Sequence, residues 1–472
     1  MKWITPAFVA FGCGSTVEAG GDPGRETGPC IEYQCLGGQL VCLSDLCVDP
    51  NAVTGPSTED PSVSSDPTAD SSGGGGVPNS NQVDILFVID NSGSMGEEQG
   101  LIASNISSFF NVLEGAGADW RVGVTTTDNG NPWCSTTSPE SGKLQLSSCL
   151  GRTGEFVFNG NPPADATGPA CTDRCQFDTI STVPTTTELD DESKSRPWIE
   201  SSGGTTNLAA VGGIVPTPVE AFQCFAPQGI AGCGFEQHLE SMYKALLRSD
   251  MDAESQYGFL RSSAMLVVII ISDEVDCSYN NEHQSIFSTE SMGGDPSVFW
   301  SDPTASAPTS AVCWRAGIEC TGGPGTYNEC HAANKSESGA VDVSDAEAVL
   351  HPISRYAEYL QGIEDLRKDT MPAQEVMVAL IAGVPPGYDS GASEIMYVDA
   401  TSPFEQNDYG IGAGCVNNAT TPPAVARPPV REREVAEAFA IEGGRDLYSI
   451  CNDDYSQALG TIAERIVARF GQ

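Results

Sequence analysis

Asp90, Ser92 and Ser94 occupy alternate positions within residues 90–94, so one carboxylate and two hydroxyls fall in a short stretch. These are hard oxygen donors, with no sulfur or imidazole among them. Hard donors in a small loop suit Mg²⁺, Mn²⁺ or Ca²⁺. Gly93 lets the loop turn tightly enough for both hydroxyls to point to one side. The spacing therefore predicts a divalent-cation site, with Mg²⁺ as the expected ion.

The elements around this segment predict how it is held. Residues 85–89 form a continuous apolar run that ends at Asp90, and residues 265–271 form a second apolar run shortly before Asp273. Continuous apolar runs are typical of strands covered on both faces of a parallel sheet. Ligands of such sheets bind at the carboxyl ends of the strands. We therefore expect Asp90 and Asp273 to converge there.

The order of predicted elements indicates the fold class. Further strands are predicted near residues 120–125, 376–382 and 446–451, and segments with helical apolar spacing lie between the strands. This alternation predicts an α/β protein with a doubly wound, mostly parallel sheet flanked by helices. An edge strand is predicted near residues 143–146. Two Cys-rich insertions interrupt the alternation, at about residues 130–215 and 278–342.

The pattern Asp90-x-Ser92-x-Ser94 behind an apolar strand, with a second strand that ends near Asp273, resembles the von Willebrand factor A (vWA) domain and its metal-ion-dependent adhesion site (MIDAS). The resemblance covers the strand and helix order from residue 83 to about residue 470. It implies a Rossmann-like vWA sheet. It also implies one divalent ion on Ser92 and Ser94, which Asp90 and Asp273 contact directly or through water.

The same resemblance implies a function. In the vWA domain the open coordination position of the ion takes an Asp or Glu carboxylate from a partner protein. Residues 232–246 and 447–459 are similar to segments of disulfide-rich bacterial envelope lipoproteins that carry this domain. We therefore expect a cell-surface adhesion or binding module whose partner, a protein with an exposed Asp or Glu, is unidentified.

This sequence departs from the family pattern at one position. The family places a metal-contacting Thr in a Gly-Gly-Thr context just before the third helix, where this chain has residues 229–236, ending in Glu236. Thr205 and Thr206 stand in a similar context, but roughly thirty residues upstream. Either the chain loops back to bring Thr205 or Thr206 to the ion, or water or Glu236 fills that position.

The 17 cysteines indicate an oxidising compartment, because an even number of closely spaced cysteines outside the cytoplasm is typical of disulfides. Cys13 stands alone, and the pairing of the others is left open by the sequence. A rival interpretation is zinc, which Cys171 and Cys175 could begin to bind. The sixteen cysteines other than Cys13 fall into local even sets: Cys30, Cys35, Cys42 and Cys47; Cys134, Cys149, Cys171 and Cys175; Cys224 and Cys233; Cys277, Cys313, Cys320 and Cys330; Cys415 and Cys451.

The start of the chain resembles a bacterial lipoprotein signal. Residues 1–13 contain one Lys, an apolar stretch and then Gly12 and Cys13, which would become the lipidated N-terminus. We therefore expect an exported lipoprotein of the outer membrane or cell surface. Residues 14–50 are predicted to form a small Cys-rich module. Residues 51–82 have the composition of a disordered linker, and residues 83–472 form the predicted vWA domain.

Charge and motifs exclude several functions. Lys plus Arg is 22 and Asp plus Glu is 64, which gives a formal charge of −42. Such a surface repels nucleic acids and anionic lipids, so we expect membrane attachment only through the lipid at Cys13. No G-x-S-x-G or P-loop sequence occurs, and the scattered histidines lack metal-ligand spacing, so we expect no enzymatic activity. The alternatives are a passive structural lipoprotein with a vestigial metal site and, third, a metal-assisted hydrolase.

Overall fold

A computed structural model describes residues 41–43, 46–48, 81–160, 163–370, 375–420 and 423–470. The chain divides into two units, residues 1–76 and 77–472. In the first unit, β1 (Val41–Leu43) pairs antiparallel with β2 (Leu46–Val48). The predicted lipoprotein signal with Cys13, the cysteines 30 and 35, the side chains of cysteines 42 and 47, and most of the predicted linker lie outside the described residues.

The second unit contains the other strands and all the described helices. The strands are β3 (Gln82–Ile89), β4 (Asp119–Thr126), β5 (Val157–Phe158), β6 (Ala164–Asp165), β7 (Ile199–Ser202), β8 (Thr205–Thr206), β9 (Met265–Ile271), β10 (Ile318–Gly322), β11 (Thr326–Ala332), β12 (Val376–Ala382), β13 (Tyr397–Val398), β14 (Cys415–Asn417), β15 (Ala424–Ala426) and β16 (Leu447–Ser449). The α-helices are α1 (Gly96–Asn105), α2 (Ser107–Gly115), α3 (Pro218–Phe225), α4 (His238–Ser249), α5 (Pro296–Phe299), α6 (Ala311–Gly317), α7 (Ile353–Thr370), α8 (Pro403–Tyr409), α9 (Val430–Ala438) and α10 (Ser456–Val467).

A seven-stranded sheet forms the centre of this unit, in the order β16-β12-β9-β3-β4-β7-β8. The five strands from β16 to β4 are parallel, and β7 and β8 add an antiparallel edge. The prediction of a mixed α/β chain with a mostly parallel sheet flanked by helices is therefore confirmed.

The apolar runs explain why the sheet is central. Every residue of β9 is buried, and side chains of β3 alternate between two hydrophobic clusters on opposite faces of the sheet. Helices α2, α3 and α10 cover one face, and helices α4, α7 and α9 cover the other. Each fully buried Leu, Ile, Val or Phe contributes about 1.5–3 kcal/mol. The ends of β3 and β9 are consequently fixed by packing on both sides.

The predicted edge strand near residues 143–146 is wrong. This segment lies beside β4 but makes only isolated bonds: the Gln145 amide donates to the Val124 carbonyl at 2.7 Å, and Thr125 Oγ1 donates to the Lys143 carbonyl at 3.0 Å. The edge of the sheet is instead supplied by β7 and β8 from within the first insertion. Among the described residues, no helix is both long and apolar enough to cross a bilayer.

Six disulfides join twelve of the predicted cysteines. They are Cys134–Cys233, Cys149–Cys171, Cys175–Cys224, Cys277–Cys313, Cys320–Cys330 and Cys415–Cys451. The first and third of these bonds tie the first insertion to Cys233, before α4, and to Cys224 in α3, so two of the local sets are joined to each other, whereas the sets at residues 277–330 and 415–451 pair internally. Because Cys171 and Cys175 belong to two different disulfides, the zinc interpretation of that pair is wrong.

Candidate metal centre

The ends of β3 and β9 bring two predicted residues together. The strands are parallel neighbours with Ile89 opposite Ile271, and the Asp90 amide donates to the Ile271 carbonyl at 3.0 Å. Ser272 Oγ then donates to Asp90 Oδ2 at 2.6 Å. Asp273 therefore begins its loop directly beside Asp90, at the carboxyl edge of the sheet.

The loop after Asp90 completes a continuous set of oxygen contacts. The Ser92 amide donates to Asp90 Oδ1 at 2.8 Å, and the hydroxyls of Ser92 and Ser94 lie 3.1 Å apart. Ser94 Oγ donates to Asp273 Oδ1 at 3.0 Å. The structure therefore brings the four main predicted residues, Asp90, Ser92, Ser94 and Asp273, to one place.

This loop is held from outside as well. Gln99 Nε2 donates to the carbonyls of Asp90 at 2.8 Å and Gly229 at 2.7 Å, so α1 fixes the loop to the segment that precedes α4. A Cβ on Gly93 would stand 3.0 Å from the ring of Phe158, which belongs to the first insertion. The donor atoms are thus positioned by packing before any ligand arrives, as binding sites require.

Further carboxylates surround these four residues. Glu236, which the sequence suggested as a replacement for the family Thr, is 1 % exposed, and Glu98 is 5 % exposed. Glu274 follows Asp273 and is half-buried. Glu98 Oε2, Glu236 Oε1 and Glu274 Oε2 are buried and have no hydrogen-bond partner within the described part of the chain. A buried carboxylate oxygen without a partner is costly, so this group of acids favours a bound cation.

The pKa values show how strongly these acids oppose one another's ionisation. Burial and the neighbouring Asp90 carboxylate raise the pKa of Asp273 to about 7. Burial and Asp273 raise the pKa of Glu274 to about 8. Burial and Glu274 raise the pKa of Glu236 well above its usual range. A divalent cation would stabilise the ionised forms of all three groups.

The donor set fits a hard divalent cation. Across the residues that the structure describes, no three His, Cys, Asp or Glu side chains are grouped so that they alone could hold a metal. The candidate set instead combines two carboxylates with two hydroxyls, and all four donors are oxygens. Mg²⁺, Mn²⁺ and Ca²⁺ prefer such donors, and Mg²⁺ usually keeps several waters. Ser92 and Ser94 would hold the ion, with Asp90 and Asp273 beside it.

Thr205 and Thr206 do not reach this site. They form β8, which pairs with the end of β7 at the edge of the sheet, and Thr205 is exposed. Since β7 runs antiparallel to β4 and Ser201 lies opposite Trp120, the end of β7 lies near the amino end of β4. Asp90 follows the carboxyl end of the neighbouring β3, so the hypothesis that the chain loops back to the ion is wrong.

The structure places another threonine beside Asp90. Ile89 lies opposite Thr126 in the β3–β4 pairing, so the next residues, Asp90 and Thr127, are neighbours. Thr127 is fully buried, and its Oγ1 has no hydrogen-bond partner among the described residues. Sequence reasoning missed Thr127, although it stands two residues beyond a predicted strand, because its proximity to Asp90 depends on the register of β3 and β4.

Comparisons with known proteins add little to this geometry. No protein-family model matches the chain, and no curated protein matches it. A crystal structure of the pilus adhesin SpaC from Lactobacillus rhamnosus GG is similar at 10% sequence identity and a TM-score of 0.29, over 82% of this chain and 31% of that chain. The open conformation of the same adhesin gives 12% identity and a TM-score of 0.28, over 82% and 30%. This chain spans less than a third of that adhesin, and a likeness of this degree carries no argument about function.

Proposed function

We propose that this protein is a divalent-cation-dependent binding module of the vWA type, with a metal-ion-dependent adhesion site at the carboxyl edge of its sheet. The observation that carries the proposal is the contact of Ser94 Oγ with Asp273 Oδ1 at 3.0 Å. It joins the loop after β3 to the loop after β9, so residues 179 positions apart share one cluster of oxygens.

The chain's own residues have distinct parts in this function. Asp90 is fully buried and accepts hydrogen bonds from the Ser92 amide and Ser272 Oγ, so it orients the loop. Ser94 is exposed, so the cluster opens to solvent on that side. When bound, the cation supplies an electrophilic coordination position there. A partner's Asp or Glu carboxylate would occupy that position and complete the coordination.

The charge of the protein supports a requirement for the ion. With a formal charge of −42, the surface repels an acidic partner unless a cation lies between them. We further propose that the module is displayed on the bacterial envelope, exported and anchored by a lipid at Cys13.

Binding assays with the full chain test this proposal. The wild-type protein and the variants Ser94→Ala and Thr206→Ala are immobilised and exposed to solubilised envelope proteins in Mg²⁺ or EDTA. We expect wild type and Thr206→Ala to retain the same partner in Mg²⁺ and to lose it in EDTA. Ser94→Ala should retain none. A partner that is kept in EDTA, or kept equally by Ser94→Ala, would contradict the proposal.

The two alternatives predict different results. A passive structural lipoprotein with a vestigial site would melt at the same temperature in Mg²⁺ and EDTA, because only a ligand of the native state raises stability. A metal-assisted hydrolase would turn over an ester or phosphate in a panel of substrates with Mg²⁺. The proposed function predicts a higher melting temperature in Mg²⁺ and no turnover.

A further inference from the structure

A cleft lies between the second insertion and α8, and we call it the insertion cleft. Its volume is about 410 Å³. Binding sites for small molecules usually enclose about 300–1,000 Å³. None of the residues of the candidate metal centre lines this cleft, so it is a separate feature of the molecule. Its walls include Phe299, Trp314, Arg315, Tyr327 and Lys335 from the insertion, and Gln406 from α8.

The walls of the insertion cleft are held by bonds within the chain. Strands β10 and β11 pair antiparallel, and the disulfide between Cys320 and Cys330 joins them. Lys335 Nζ donates to the carbonyls of Arg315 at 3.0 Å and Ile318 at 2.7 Å, so the segment after β11 is tied to the end of α6. The cleft is therefore formed before a ligand arrives, which lowers the cost of binding.

The two cations of the cleft differ in their partners. Lys335 Nζ pairs with Glu319 Oε2 at 2.9 Å. Arg315 is half-buried, and its Nη1 donates to the Trp300 carbonyl at 3.3 Å. Within the described part of the chain, no Asp or Glu forms an ion pair with the Arg315 guanidinium. A guanidinium presents five N–H donors in a planar fork that matches a carboxylate. Arg315 therefore has donors available for an anionic ligand.

The other polar groups of the cleft suit a ligand with hydroxyls. Tyr327 Oη donates to Asp399 Oδ1 at 2.9 Å, so its oxygen can still accept a hydrogen bond. The Glu319 carboxylate is partly exposed and can accept from hydroxyl groups as well. Gln406 is held by the Ala400 amide, which donates to its Oε1 at 2.6 Å. Since Glu319 would repel a ligand of higher negative charge, the lining favours a single carboxylate accompanied by hydroxyls.

We propose that the insertion cleft binds a sugar acid, a hydroxylated ring that carries one carboxylate, and that Arg315 holds the carboxylate. The rings of Trp314 and Tyr327 supply apolar surface for the C–H groups of the sugar. The inference goes beyond the proposed function, because the cleft shares no residue with the cation site. A simple aliphatic acid would leave the hydroxyl-binding groups of the cleft unpaired, which weakens binding.

NMR titration of the wild-type full chain with D-glucuronate and with its methyl ester tests the proposal. The ester differs only in lacking the charge, so we expect its Kd to be weaker by about tenfold or more. All titrations contain EDTA, because a carboxylate could otherwise bind through a cation at the candidate metal centre. Equal binding of the two sugars, no binding of glucuronate, or binding that requires Mg²⁺ would overturn the proposal.

Two variants assign the binding to the cleft. Arg315→Gln should weaken glucuronate binding by about tenfold or more, whereas an unchanged Kd would overturn the role of Arg315. The matched control is Arg445→Gln, since Arg445 is another partly exposed Arg but pairs with Glu394. This control should keep the Kd of wild type. If Arg315→Gln does not fold, the comparison with the methyl ester on wild type still decides the matter.

Two further measurements separate this inference from its rivals. Glutarate carries carboxylates without ring hydroxyls, so it should bind at least about tenfold more weakly than glucuronate. Equal binding would assign the cleft to an acidic side chain of a protein partner and overturn the sugar acid. Ser94→Ala should leave glucuronate binding in EDTA unchanged, so failure of the cation site would not affect this result. Loss of glucuronate binding in Ser94→Ala would place the sugar at the other site and overturn the inference.

Discussion

The central sheet has buried acids at both ends of its parallel strands. We call the end where the strands begin the amino edge and the end where they finish the carboxyl edge, and the acids of the two edges have different partners. At the amino edge, Asp84 is fully buried and Asp119 half-buried, and both are held by one guanidinium: Arg261 Nε lies 2.8 Å from Asp84 Oδ1, and its Nη1 lies 2.5 Å from Asp119 Oδ1. At the carboxyl edge, no Lys or Arg of the described chain pairs with Asp90 or Asp273. The protein pairs one set of buried acids with a guanidinium and gives Asp90 and Asp273 no such close partner, although Arg427 acts on Asp273 from farther away and lowers its pKa somewhat.

The contrast indicates what each edge is for. An acid paired with an Arg within the chain serves the fold, because its charge is satisfied at all times. An acid whose buried neighbours are other acids is unfavourable for the fold alone, and such groups are typical of functional sites. We therefore interpret the amino edge as structural and the carboxyl edge as a site that takes its positive charge from solution.

The largest expected effect comes from breaking the amino edge. Arg261→Met leaves Asp84 and Asp119 without their cation, and loss of one partner of a buried pair costs about 3–5 kcal/mol. Urea unfolding of the full chain should show this loss equally in Mg²⁺ and EDTA. The control is Arg445→Met, which breaks a more exposed pair with Glu394 and should cost about 0–1 kcal/mol. Rescue of Arg261→Met by Mg²⁺ would contradict the distinction between the edges.

A matched pair of substitutions should have opposite signs in EDTA. Asp84→Asn should lower the melting temperature, because it removes a carboxylate that Arg261 binds. Asp273→Asn should raise it, because it removes repulsion with Asp90 and the other nearby acids. In Mg²⁺ the Asp273→Asn variant should instead melt at a lower temperature than wild type, since the variant loses the stabilisation by the ion. Destabilisation of both variants in EDTA would mean that the two edges are alike.

The pH dependence of the ion-free protein should also differ between the edges. Since the folded-state pKa of Asp273 is raised to about 7, its contribution to stability is present below about pH 4 and is lost as the pH rises through 7. The stability of Asp273→Asn relative to wild type should therefore increase from pH 4 to pH 8 in EDTA.

Asp119 has the opposite shift. Burial raises its pKa, but Arg261 and the hydrogen bonds with Ser202 and Gln82 together outweigh burial, and the net pKa is lowered. Its contribution is present above its unfolded pKa of about 4 and is lost as the pH falls below that value. The cost of Asp119→Asn should thus be largest at neutral pH and disappear in acid. Urea unfolding across this pH range in EDTA checks both signs, and parallel pH profiles for the two variants would refute the contrast.

The smallest expected effect is at β8, whose Thr205 and Thr206 were one of the alternatives that the sequence offered for the family threonine. Thr205→Ala and Thr206→Ala alter only β8, at the edge of the sheet. Both variants should bind Mg²⁺ with the Kd of wild type in a calorimetric titration. A tenfold weaker Kd for either variant would show that β8 contributes to the cation site after all.

Much of the fold was predictable because the apolar runs are so pronounced. The runs at residues 265–271 and 376–382 match β9 and β12 residue for residue. The apolar residues of α4, α7 and α10 recur in the sequence at helical spacing, because each helix buries one side against the sheet. Apolar residues from Leu101 to Leu113 recur at helical spacing as if in one helix, but the segment forms two helices, α1 and α2, separated at Ile106.

The site was only partly predictable. Asp90, Ser92 and Ser94 lie in one loop, and Asp273 follows a fully apolar strand, which is typical of a strand inside a parallel sheet. Thr127 and Glu274 could not be identified as site residues from the sequence, since their positions depend on strand register and on how the loops fold over the carboxyl ends of the strands. The disulfide between Cys134 and Cys233 could not be predicted either, because it joins residues 99 positions apart that only tertiary packing brings together.

Anomalous diffraction from crystals of the full chain soaked in Mn²⁺ tests the central claim most directly. The account predicts one strong manganese peak within roughly 2.0–2.6 Å of Ser92 Oγ and Ser94 Oγ, with the Asp90 and Asp273 carboxylates beside it. The absence of manganese from this loop at saturating concentration, with Asp90 and Asp273 ordered as described, would contradict it.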